Sequence, residues 1–339
     1  MYKSVRIAQS KGSAVADAVA IVLFDKTRSL PAGYKSLDEK LGGAMSAAVK
    51  RSELNTSRGS ITTLYPEKGA KRAYIVGLGN KERIGDAVRI AGARLVSAAF
   101  NAGLDRISVV IGPAIDEAKD TDACATAIGE GFVIGNFEFT TFRGTAAKGN
   151  GNGAKKRSLT VEVESKVFKN ANQGAIVAES QNLTRTIAST PPNVANPVYL
   201  GEFCKKMSRE VGLSCKVIDA KQAKKLGMGR LYVVGQGGST PPVMIIMEWK
   251  GRGKGQGLRA KGQGKDKAPV LLVGKAITFD TGGYSLKPPA GQTTMKYDKC
   301  GGAAVIGAMH AIAKLKLPTP VTGIVCSAEN MVDREAYRV

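Results

Sequence analysis

Short apolar runs closed by glycine alternate with segments of helical period along the first half of the chain. That alternation restricts the fold to the α/β class. Residues 73–76 form an apolar run ending in Gly77-Leu78-Gly79, and residues 107–111 form another closed by Gly112-Pro113. Between them, residues 86–100 carry Val88, Ala91, Leu95, Ala98 and Ala99 at helical spacing. Residues 122–134 read as a further helix. At the N-terminus, Lys3, Arg6 and Lys11 precede the apolar stretch 14–24, which resembles a signal peptide at first sight. Asp17 interrupts it, and Asp25, Lys26 and Arg28 follow where a small-residue cleavage pattern is required. Two short strands, 5–8 and 19–24, are the better reading.

Gly77 and Gly79 invite a nucleotide-binding reading. The dinucleotide fingerprint needs a third glycine where Glu82 stands, so a strand-end turn is expected instead. No P-loop pattern occurs. Residues 144–156, GTAAKGNGNGAKK, mark a boundary or a surface loop. Beyond them come a strand at 159–163 and a helix at 172–189, stopped by Ser189-Thr190-Pro191-Pro192-Asn193. A helix at 199–211, a strand at 215–218, a short helix at 220–226 and two buried-type strands at 242–248 and 270–273 follow. Residues 302–317 form a helix that contains His310.

A length of 339 residues admits one large domain or two ordinary ones. A 43% hydrophobic and 23% charged composition excludes disorder over the whole chain. No apolar run reaches the roughly 18 residues of a membrane span. His310 is the one histidine, which excludes any site built on two or more, zinc proteases of the HExxH type included. Five cysteines, Cys124, Cys204, Cys215, Cys300 and Cys326, form no CxxC pair and fit a reducing compartment. The net charge is +22. It favours solubility and contact with polyanions, but no RRM, KH, zinc-finger or helix-turn-helix pattern accompanies it. Residues 250–267, from Lys250 to Lys267, hold seven basic residues, one acid and six glycines. Nothing there can be buried. The tract is read as an elongated hairpin loop between the strands that flank it, with a polyanion-binding arm as the alternative.

The chemistry is concentrated in residues 273–302. Lys275 closes the apolar strand, Asp280 follows with Gly282 and Gly283, then Lys287, Met295 and Asp298 precede a helix that opens on small residues. Two carboxylates and two lysines converge at the strand-end side of a sheet, where α/β folds place ligands. Oxygen ligands suit divalent ions such as Mn²⁺, Mg²⁺ or Zn²⁺. A lysine ligates only as a neutral amine, so its reference pKa of about 10.4 must fall. A second, charged lysine can polarise a carbonyl. From residue types and spacing alone, a metal site and two structural Lys–Asp ion pairs stand level.

The segment Val273-Gly-Lys275-Ala-Ile-Thr-Phe-Asp280-Thr-Gly282-Gly283-Tyr-Ser-Leu-Lys287-Pro, with Met295-Lys-Tyr-Asp298, resembles the signature of the leucine aminopeptidase (cytosol aminopeptidase) family of dinuclear metallo-exopeptidases. Ala276, Thr281, Tyr284 and Lys299 depart from the pattern without changing its length. Thr190-Pro-Pro-Asn193, Lys225-Leu-Gly-Met-Gly229, Val234-Gly-Gln-Gly237, Ile246-Met-Glu-Trp-Lys250-Gly and Ala328-Glu329-Asn330-Met331 are similar to further family blocks in the same order. The resemblance implies an N-terminal α/β domain over 1–165. Over 166–339 it implies a mixed-sheet α/β catalytic domain with helices on both faces, incomplete at its C-terminal end. It implies two divalent metal ions, Mn²⁺ or Zn²⁺. Lys275 would ligate one, Asp280 would bridge both, and Asp298 would ligate the ion on the Lys275 side. Lys287 would bind the scissile carbonyl and stabilise the oxyanion, and Met295 would line the pocket for the N-terminal side chain. Peptide substrates, leucine preferred at the N-terminus, and a cytoplasmic setting follow from the same resemblance.

The family's remaining ligands lie in a downstream block, Asn-Thr-Asp-Ala-Glu-Gly-Arg, which these 339 residues do not contain. Asp333-Arg334-Glu335 falls in a different part of the pattern and is expected to be a decoy. A truncated aminopeptidase with impaired activity is therefore expected, and the family's hexamer is in doubt for it. The rival reading is a catalytically silent basic protein that binds nucleic acid through its net charge and residues 250–267.

Overall fold

The computed structural model describes residues 1–10, 16–51, 54–116, 120–142, 144, 157–251 and 268–338. Most of the 144–156 tract and residues 252–267 lie outside the described residues. The chain divides into two compact units, Met1–Glu179 and Ser180–Val339.

The first unit is built in the order β1 (Ser4–Gln9), β2 (Ala18–Phe24), α1 (Lys35–Lys40), α2 (Ala44–Lys50), β3 (Ile61–Leu64) and β4 (Arg72–Gly79). It continues through α3 (Ile84–Asn101), β5 (Arg106–Val110), α4 (Gly112–Ile115), α5 (Thr121–Ile134), β6 (Ser158–Val163) and the first part of α6 (Ser165–Ser189). Its sheet has the order β1-β6-β5-β2-β4-β3, parallel except for the β3 edge. Every residue of β2 is buried, because helices cover both faces of the sheet. Ala18, Ala20, Val22 and Phe24 join one core, while Val19, Ile21 and Leu23 join the other with Tyr34 and Met45. The strand expected at 19–24 is thus a central one, Ala18–Phe24. Gly77 and Gly79 serve close approach and a turn. A Cβ at Gly77 would overlap the Ser57 carbonyl, and Gly79 has a left-handed φ of 71°. α5 packs through glycine. A Cβ at Gly129 would overlap the Ala171 carbonyl of α6, and one at Gly131 the Arg89 carbonyl of α3.

The second unit contains the end of α6, then α7 (Pro197–Val211), β7 (Ser214–Ile218), α8 (Ala220–Lys225), α9 (Gly229–Val234), β8 (Val243–Trp249), β9 (Val270–Asp280), α10 (Pro289–Gln292), α11 (Cys300–Leu315) and β10 (Val321–Asn330). Asn196 caps α7 by accepting from the Tyr199 N–H at 2.9 Å, with Pro197 in the first turn. The sheet order is β7-β8-β10-β9. β10 runs antiparallel to β8 and parallel to β9, so the sheet is mixed. One face is covered by α7 and α11 through Leu200, Cys204, Met207, Ile306 and Met309. α9 packs on β10 from the other side of the sheet, beside Ile277 and Cys326.

Two expectations are corrected. The strand expected at 270–273 runs on to Asp280, so Lys275 stands inside β9 and does not close it. The hairpin expected between residues 242–248 and 270–273 does not form, because β10 inserts between β8 and β9. β9 is an edge strand, and Val270, Leu271 and Val273 on it are 49%, 60% and 70% exposed. Among the described residues, no helix is long and apolar enough to cross a membrane.

Candidate metal centre

Lys275 and Asp280 are five residues apart on one strand, and regular alternation would send them to opposite faces. β9 avoids this with a bulge. Ala328 of β10 faces Ile277, but Asn330 faces Asp280, so three steps on β9 match two on β10. The extra residue resets the alternation and returns Asp280 to the face of Lys275 and Ile277. On the opposite face the small residues matter. Gly274 and Ala276 meet Gly301 and Gly302 at the start of α11, where a Cβ at Gly302 would lie 2.6 Å from that of Ala276. This close seat brings the preceding turn, Met295–Tyr297 and Asp298, to β9.

That turn and β9 assemble two ion pairs. Lys275 Nζ lies 3.0 Å from Asp298 Oδ2, and Lys287 Nζ lies 2.5 Å from Asp280 Oδ2. Lys287 Nζ also approaches the Asp280 carbonyl at 3.3 Å and Met295 Sδ at 3.2 Å. One turn therefore serves both pairs, through Met295 and through Asp298. Asp280 Oδ1 accepts from the Gly282 N–H at 2.9 Å and from Asn330 Nδ2 at 2.7 Å. Burial of Asp280 acts to raise its pKa, but hydrogen bonds from Lys287, Gly282 and Asn330 outweigh it and hold the carboxyl below its ordinary value.

The donor set fits a divalent cation in part. Asp298 Oδ2 is buried and has no hydrogen-bond partner, although Lys275 stands 3.0 Å away. Such an oxygen is a ready ligand. Among the described residues no group of three or more His, Cys, Asp or Glu side chains could share an ion, so the set stands as two carboxylates and an amine. A cavity of about 640 Å³ opens beside Lys275, walled by Met228, Leu231, Val273, Ile277 and Cys326. Met295 is not among its lining residues.

Other residues singled out in the sequence make local or structural contacts. Asp333, Arg334 and Glu335 are exposed, and Asp333 Oδ1 accepts from the Glu335 N–H at 2.8 Å in a local turn. His310 Nδ1 lies 2.7 Å from Ser180 Oγ on α6. Lys299, where the family pattern has Met, is fully buried and donates to the Lys296 carbonyl; burial pulls its ammonium down to about 8. Sequence reasoning assigned no role to Glu329 or Asn330. Glu329 is wholly buried at the end of β10 and accepts from the Ser239 N–H and hydroxyl, each at 2.8 Å, and from Arg338 at 2.9 Å. The readable signal was a polar pair ending an apolar strand.

A model of the catalytic domain of the cytosol aminopeptidase family matches residues 182–339, and a model of that family's N-terminal domain matches residues 20–145. The chain belongs to the cytosol aminopeptidase family. A cytosol aminopeptidase of Pseudomonas aeruginosa is 34% identical over 330 residues, which are 95% of this chain and 63% of that protein. A probable cytosol aminopeptidase of Aquifex aeolicus is 39% identical over 271 residues, 78% of this chain and 50% of that protein. The chain thus spans less than two thirds of the length of these relatives. Among solved structures, the bottromycin maturation enzyme BotP in complex with Mn matches with a TM-score of 0.74 at 25% identity, covering 96% of this chain and 62% of that one. A tomato leucine aminopeptidase mutant matches with a TM-score of 0.73 at 25% identity, covering 99% and 64%.

Proposed function

We propose that this chain carries the metal site of an aminopeptidase that removes N-terminal residues, leucine preferred, from peptides in the cytoplasm. The observation that carries the reading is the pairing of Lys275 with Asp298 and of Lys287 with Asp280 by one bulged strand and one turn. Lys275, Asp280 and Asp298 are the proposed ligands for divalent Mn²⁺ or Zn²⁺. When bound, such cations supply Lewis acidity toward water and the scissile carbonyl. Lys287 now gives a hydrogen bond to Asp280 Oδ2. Were Asp280 to hold a cation, the Lys287 ammonium would be available to donate to the substrate carbonyl and to stabilise its developing negative charge. Met295, against Lys287, would bound the space for the substrate's first side chain.

Two carboxylates and one amine are a sparse set for two ions, so weak binding and impaired turnover are expected of these 339 residues. Calorimetric titration with Mn²⁺ tests the reading. Wild type should bind, and Asp280→Ala and Asp298→Ala should each abolish the heat while the fold persists by circular dichroism. Absence of Mn²⁺ and Zn²⁺ binding by wild type would overturn the metal site. Rapid release of leucine from Leu-p-nitroanilide would refute the impairment.

A further inference from the structure

Asp280 has two oxygens with different surroundings. Oδ2 faces Lys287, whereas Oδ1 takes two donors, the Gly282 N–H and the Asn330 carboxamide. With both lone pairs of Oδ1 engaged, the plane of the carboxylate is fixed and Oδ2 is left to aim. Gly282 alone is a single backbone donor and leaves rotation about the terminal torsion open. Asn330 supplies the second constraint.

Asn330 in turn needs a seat. A Cβ at Gly283 would stand 3.0 Å from Asn330 Oδ1, closer than an ordinary contact. Gly283 also holds a left-handed φ of 67°. The main chain of Asn330 is secured separately: its carbonyl accepts from the Thr281 N–H at 2.9 Å and from the Thr281 hydroxyl at 2.8 Å. The preceding residue, Glu329, is anchored by Ser239 and Arg338. The backbone therefore stays in place when the carboxamide is removed.

We propose that Asn330 is a positioning residue that orients Asp280 for the cation, and that Gly283 is required because it leaves room for the Asn330 carboxamide. The inference rests on the metal-site reading above. The test is Mn²⁺ calorimetry on the full chain for wild type, Asn330→Leu, which keeps the volume and removes the donor, and Gly283→Ala. Melting temperature without metal is recorded alongside. Asn330→Leu is expected to weaken Mn²⁺ binding by about 10–100-fold with a near-unchanged melting temperature. Gly283→Ala should weaken it in the same direction. Should the leucine variant not fold, Asn330→Ala provides the measurement. Wild-type affinity retained by the Asn330 variants, with or without a lower melting temperature, overturns the positioning role alone. Failure of wild type to bind Mn²⁺ overturns the metal site and this inference with it.

Discussion

The Tyr2 hydroxyl donates to the Leu104 carbonyl at 2.5 Å, and the ring meets Phe100 edge-on. Burial pushes this phenol from 10.0 up to about 12. A raised acid contributes stability that is complete below its unfolded value and lost as pH rises through the folded one. The stability advantage of wild type over Tyr2→Phe should therefore hold at pH 9 and shrink across pH 10–12, read from urea midpoints. Asp280 has the opposite sign. Its lowered pKa contributes above the unfolded value of about 3.9, and the contribution disappears as pH falls through the folded value. At this scale a motif names Lys275, Asp280, Lys287, Met295 and Asp298, and the structure pairs Lys275 with Asp298 and Lys287 with Asp280 and Met295. The sequence showed Glu329 and Asn330 only as a polar pair ending an apolar strand, because what they contact, Ser239 for Glu329 and Asp280 for Asn330, is remote in the chain.

Helix α5 shows what an element demands of its sequence. Gly129 and Gly131 let it approach the main chains of α6 and α3 at the Ala171 and Arg89 carbonyls, which no larger residue permits. Gly129→Ala should lower stability by about 1–3 kcal/mol through overpacking, despite the better helix propensity of alanine. Gly85 in α3 has nothing within 4 Å of its missing Cβ, so Gly85→Ala should be neutral or stabilising by up to about 1 kcal/mol. Denaturant midpoints for the pair check both. Alternation placed most strands and helices of the first unit within two or three residues. α6 was read seven residues late: Lys166, Lys169 and Asn170 interrupt the apolar pattern, although Val167 and Ala171 are buried. The β9 bulge was not legible. No residue type marks it, and only the register with β10 shows that Lys275 and Asp280 share a face.

Across the whole molecule, the +22 charge predicts some retention on DNA at low salt whatever the chain does. Deleting residues 252–267 removes six basic residues and one acid and leaves most of the excess in place. If the tract is a dedicated arm, DNA retention and its salt slope should collapse on deletion, while Mn²⁺ binding stays. If charge alone acts, retention should decline only modestly; filter binding over a salt series separates the two. Fold class and family were legible at this scale because several blocks recur in a fixed order. The strand order of the second unit was not, since nothing in residues 242–273 announces that β10 will come between them.

Among the described residues β9 borders its sheet, with Val270, Leu271 and Val273 exposed on it. Such a border recruits like borders, so purified material should cluster as it is concentrated. Val273→Lys, which adds a charge on that border, should raise the concentration at which sedimentation still shows a single slow species.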